Sequence, residues 1–141
     1  MATQRASYAE PEPPHPVLKA ILLCERIIEE AGTDKITLVG TIGRLVSPEF
    51  PFDYARGLEL YVQVTDAAGE YAMRMELIRL EDERMIGGGA TLRLIADRID
   101  ADDVGFAISR VVFERPGRYE FRVFANARFV GRAVLLIERA A

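Results

Sequence analysis

The chain has one histidine, one cysteine and no tryptophan among its 141 residues. Each scarcity removes a class of chemistry. A general base must be held within hydrogen-bond reach of its target. The sole histidine, His15, instead stands in Glu10-Pro11-Glu12-Pro13-Pro14-His15-Pro16. Proline on both sides favours an extended, solvated arm. Ser–His–Asp and Cys–His catalysis are therefore left without their base, and sites built on two or more His ligands without their donors. Cys24 stands alone, so neither an intrachain disulfide nor a multi-cysteine zinc site can form. Its neighbours Ile21, Leu22, Leu23, Ile27 and Ile28 mark it as a small buried hydrophobe in a reducing compartment. The 22 acids offer many carboxylate pairs, yet no tryptophan is present to stack a sugar ring. Long apolar runs are also missing. None is longer than Ala20 to Cys24, far short of the ~18 residues that span a bilayer, and none follows the N-terminus. A cytoplasmic, non-enzymatic domain without cofactor or membrane association is expected.

What is present suits a single core. Half of the residues are hydrophobic and 28% are charged, the composition of one globular domain. Residues 1–16 read as a flexible Pro-rich arm, and residues 17–141 as the domain. The net charge of −4 is a poor match to a polyphosphate backbone, so nucleic acid is not the expected partner.

The strongest periodicity is two-fold. Leu58, Leu60, Val62 and Val64 alternate with polar or half-polar neighbours, as do Tyr71, Met73, Met75 and Leu77, and Tyr119, Phe121, Val123 and Ala125. Each pattern predicts a strand with one face on a core. A hairpin is expected between 58–65 and 71–80, and a second between 118–125 and 129–138 across Asn126-Ala127-Arg128. Further strands are expected at 36–46, 90–96 and 104–113. Gly87-Gly88-Gly89 has no following Lys and reads as a bulge or strand connection rather than a phosphate loop. Seven or eight strands with frequent turns predict an all-β, immunoglobulin-like antiparallel sandwich. Gly117 and Tyr119, in Pro116-Gly117-Arg118-Tyr119, read as structural, the tyrosine bonding back to the loop before it. Val17 to Glu30 is divided: apolar residues at 17, 18, 21, 24 and 28 fit a helix face, whereas Gly32-Thr33-Asp34-Lys35 before Ile36-Thr37-Leu38-Val39 fits a hairpin.

Several stretches together carry a resemblance. They are Leu22-Leu23-Cys24-Glu25, Glu30-Ala31-Gly32-Thr33-Asp34-Lys35 before Thr37-Leu38-Val39-Gly40, and Ser47-Pro48-Glu49-Phe50-Pro51. Leu60-Tyr61-Val62, Gly69-Glu70-Tyr71 and Pro116-Gly117-Arg118-Tyr119 complete the set. Over residues 18–138 the chain resembles a functionally uncharacterised family of small bacterial β-sandwich proteins. The resemblance implies that 18–29 is a strand paired with 36–46. It implies no activity.

Three clusters are candidate sites. Asp97, Asp100, Asp102 and Asp103 crowd one loop, 97–103, where carboxylate oxygens could hold Ca²⁺, although the spacing matches no established loop and a solvated acidic turn is the plainer reading. Arg118 and Arg122 alternate outward in a stretch, 110–132, that carries six arginines and two acids. That stripe could meet phosphate or an acidic protein surface. Phe50, Phe52 and Tyr54 form an aromatic loop that could contact a protein or fold back to plug the core. The function expected is an interaction module that binds a protein partner or itself, as a homo-oligomer, through edge strands or end loops. The alternative is a sandwich that binds a small ligand or Ca²⁺.

Overall fold

Alternation of buried and exposed residues sorts the chain into two facing sheets. The computed structural model describes residues 12–89, 91–97 and 101–141. In chain order the strands are β1 (Val17–Glu29), β2 (Ile36–Thr41), β3 (Arg44–Ser47), β4 (Phe52–Tyr54), β5 (Leu58–Thr65) and β6 (Ala68–Arg79). They continue with β7 (Arg84–Gly88), β8 (Leu92–Asp97), β9 (Asp102–Ile108), β10 (Val111–Phe113), β11 (Gly117–Ala125) and β12 (Arg128–Arg139). The first sheet runs β2-β1-β5-β9, the second β3-β12-β11-β6-β7 with β8 also on β6, and β4 pairs β10 in a small third ladder. The protein is an all-β sandwich.

Leu58, Leu60, Val62 and Val64 of β5 face Tyr119, Phe121 and Val123 of β11 and Tyr71, Met73, Met75 and Leu77 of β6 within one core. Burying a large apolar side chain contributes about 1.5–3 kcal/mol, so these alternating positions dominate the fold. Leu18 of β1 packs onto Gly131 of β12, where an added Cβ would lie 2.4 Å from Leu18 Cδ2. That contact binds the two sheets together at a place only glycine permits.

Four expectations change. Among the described residues the strands number twelve rather than seven or eight, because two expected strands each break in two and β4 and β7 are added. Segment 36–46 divides at Ile42-Gly43 into β2 in the first sheet and β3 in the second, β3 running parallel to β12. Segment 104–113 divides at Ser109-Arg110 into β9 in the first sheet and β10 in the small ladder with β4. The hairpin expected between 58–65 and 71–80 is an arch: both flanks of β5 are taken by β1 and β9, and β6 lies across the core in the other sheet. Segment 17–29 is a strand, paired with β2 and β5, so pairing overrides its helical periodicity. The β11–β12 hairpin forms as expected, with Asn126 and Ala127 at φ 49° and 66° in the turn.

The end of the Pro-rich arm is seated. Tyr71 donates its hydroxyl to the Pro14 carbonyl at 2.5 Å, and His15 Nε2 lies 2.8 Å from the Phe129 carbonyl oxygen. Pro16 is buried. Residues 12–16 thus lie on the domain rather than in the solvated arm expected of them; the remainder of the arm, 1–11, lies outside the described residues.

Candidate functional site

The sandwich is open along one side. The first sheet stops at β9 and the second at β7, and a cleft of about 490 Å³ lies between those edges. That is within the ~300–1,000 Å³ of ordinary ligand sites. Its floor is apolar, made by Met75 and Leu77 of β6, Phe121 of β11, and Ile108 and Val111. One wall is Ile86 and Gly87 to Gly89, the other the Ala107–Val112 crossover.

Charge is concentrated at the rim, in Arg79, Arg84, Arg110 and Glu114. Arg79, only 2% exposed, donates from Nε and Nη2 to the two oxygens of Asp82 at 2.9 and 2.6 Å, and Nη1 reaches Glu114 at 3.5 Å. The guanidinium holds the Asp82 carboxyl well below the usual carboxylate range, and the same bonds raise Arg79 further. Arg110 makes a two-pronged pair with Asp53, 2.8 Å from Nε and 2.5 Å from Nη2, lowering that carboxyl too. Arg84 differs. It is exposed at the mouth, and among the described residues its guanidinium is in no ion pair.

The glycine wall is not required by backbone or by crowding. Gly87, Gly88 and Gly89 all lack positive φ, and a Cβ on each would find its nearest neighbour at 3.7, 3.7 and 3.8 Å, ordinary contact. Gly87 stands opposite Leu77 on the core side, and Gly88 opposite Glu76 on the outer side. Between them and Met85 the register slips at Leu77/Ile78, so a bulge is present as the glycines suggested. Omitting three side chains here leaves the cleft wall bare.

The candidates named from sequence are placed otherwise. Asp97 ends β8, while Asp102 and Asp103 lie within β9 rather than in a loop; Asp100 lies outside the described residues. Consecutive strand residues point to opposite faces, which separates Asp102 from Asp103. Asp103 accepts from Tyr61 at 2.5 Å and Gln63 at 3.0 Å, and burial raises the Tyr61 phenol well above its ordinary pKa. Among the described residues no three His, Cys, Asp or Glu side chains gather as metal ligands.

The arginine stripe is largely neutralised. Arg122 pairs Glu83 and Glu120, each at 3.0 Å, and Arg132 approaches the same buried Glu120 at 3.6 Å. Arg74 pairs Glu76 at 2.7 Å and lies over the Phe124 ring at 4.7 Å. Arg118 is exposed. The stripe expected to present free cations is therefore a ladder of ion pairs, with Arg118 beside it.

Phe50, Phe52 and Tyr54 plug the core. Phe52 meets Phe50 and Tyr54 edge to face at 6.3 and 5.9 Å, and Phe113 at 6.0 Å; Phe113 stacks edge-on to Tyr119 at 4.9 Å. Tyr54 is buried and the other two are half-buried, so their area is spent on the core rather than on a contact patch. Tyr119, fully buried, donates to the Arg115 carbonyl at 2.6 Å across the turn that holds Gly117, whose φ is 149°. Burial raises the Cys24 thiol, with the Glu59 carboxylate adding to it, so Cys24 is not an activated nucleophile.

Sequence reasoning missed the β7–β9 cleft. Its one signal was Gly87-Gly88-Gly89, and the meaning of that run depends on which strands stop beside it.

Among the described residues, no helix is long and apolar enough to cross a membrane. No curated protein matches the sequence. A solved structure of beta-glucosidase from Listeria innocua in complex with isofagomine is similar over 88% of this chain and 16% of that one, at 10% identity and a TM-score of 0.45. The chain thus spans about a sixth of that protein's length. A family model matches residues 19–138, and with nearly the whole domain covered the chain belongs to the family of unknown function DUF6941.

Proposed function

We propose that the domain is a non-enzymatic interaction module that engages a protein partner, or a second copy of itself, along an edge strand. The observation that carries this reading is the β7 edge. β7 pairs only β6 among the described residues, its free edge borders a cleft, and Gly87 and Gly88 leave its far end without side-chain guards. Exposed edges are ordinarily blocked by charge, proline or a covering loop, because their free N–H and C=O groups recruit another strand. An edge whose glycine end is bare, over an apolar floor, suits strand addition, in which the backbone supplies affinity and alternate side chains fill the floor.

The test is selection from a random peptide library against the full chain, followed by backbone hydrogen exchange with the selected peptides. Slowed exchange over residues 84–88 is the expected result. Sedimentation across concentrations covers the self-association form, with protection of the same residues as dimer accumulates. Protection confined to other strands in both experiments overturns the reading.

A further inference from the structure

Resting on that reading, we infer that the β7 cleft takes an extended acidic and apolar segment of a partner protein, its carboxylate meeting Arg84 and its apolar side chain on the Leu77 floor. Three observations converge. The first is the vacancy of the wall. At Gly131 a Cβ would be crowded, with Leu18 Cδ2 2.4 Å away and Leu18 Cγ at 3.3 Å. At Gly87 to Gly89 neither packing nor φ calls for glycine. In a strand, glycine is also the less stable choice. Gly87 and Gly89, which the fold does not require, leave space on the slot side of the strand.

The second is charge. Three arginines and one glutamate stand at the rim, and two of the arginines are held by Asp82, Glu114 and Asp53. Arg84 is the remaining cation, at the mouth and outside any ion pair among the described residues. A carboxylate is the group that a free guanidinium recognises with two parallel hydrogen bonds. The third is shape. A flat, two-edged slot between β7 and β9 accepts an extended chain, and alternation along that chain sends one side chain to the floor while its neighbours stay at the rim.

The experiment uses a fluorescein-labelled peptide about six residues long in which Val alternates with Glu, and its counterpart with Lys in place of Glu. Fluorescence anisotropy against the full chain is expected to show binding of the Glu peptide alone. Arg84→Gln should weaken it by about tenfold to a hundredfold. Gly87→Val, whose side chain enters the slot, should abolish binding without lowering Tm. If Gly87→Val does not fold, Gly89→Val repeats the test. Equal binding of the Lys peptide, no effect of Arg84→Gln, or binding unaffected by Gly87→Val overturns the inference while leaving an edge-strand module standing. Failure of every selected peptide, and of self-association, to protect residues 84–88 removes the module reading as well.

Discussion

Two arginine-rich regions lie on one sheet and end differently. On the outer face of β6, β11 and β12, Arg74, Arg122 and Arg132 are answered by Glu76, Glu83 and Glu120. At the β7 edge Arg84 stands over an apolar cleft without such an answer among the described residues. Carboxylates stand in both places; at the cleft Asp82, Glu114 and Asp53 are taken up by Arg79 and Arg110, and Arg84 is left over. Charge that the protein neutralises itself adds to its own architecture, and charge it leaves at the mouth of a cleft is free to select a ligand. Arginine substitutions should therefore act on stability in the first region and on binding in the second.

The largest effect expected lies beneath both. Phe121 is fully buried in the core and forms part of the cleft floor. Phe121→Ala should cost about 3–5 kcal/mol in urea unfolding, removing the support that the two regions share. Next comes the closed face: Glu120→Ala takes a buried carboxylate from Arg122 and Arg132 and should cost about 2 kcal/mol by the same measurement. Tyr119→Phe should cost about 1 kcal/mol, the worth of one hydrogen bond to the Arg115 carbonyl. An unchanged midpoint for Glu120→Ala would erase the contrast, because the ladder would then be as dispensable as a free surface charge.

Acid offers a milder probe of the same rim. The Asp82 pKa is lowered in the folded state, chiefly by its hydrogen bonds from Arg79. A depressed folded pKa contributes stability that is complete above the unfolded carboxylate value, about 3.9, and is lost as pH falls from there through the folded value. Asp82→Asn should thus lower Tm at pH 7, with the difference from wild type shrinking as pH falls below about 4. The smallest stability change belongs to the open region: Arg84→Gln should stay within about 0.5 kcal/mol of wild type. A large loss there would mean that Arg84 is architectural after all.

Alternation revealed which residues face the core, and it did so accurately for Leu58 to Val64, Tyr71 to Leu77 and Tyr119 to Ala125. It could not reveal neighbours. A short Gly-containing turn after 58–65 serves an arch between sheets as well as a hairpin within one, and the choice rests on β1 and β9 already flanking β5. The breaks at Ile42-Gly43 and Ser109-Arg110 are invisible for the same reason: both halves remain extended while the sheet changes. For the site, Arg118 and Arg122 alternate with the buried Tyr119, Phe121 and Val123, yet one partner of Arg122, Glu83, comes from a turn 39 residues away. The glycine run was plain in the sequence. That it borders an empty slot follows only from β7 and β9 both being last in their sheets.

The central claim is that the β7 edge is kept open for a second chain. Backbone hydrogen exchange of the full chain, with and without the Val–Glu peptide at saturation, addresses it residue by residue. The account predicts slowed exchange across Arg84–Gly88, with the amides of the β11–β12 hairpin unchanged. Unaltered exchange at Arg84–Gly88 in the saturated complex would contradict it.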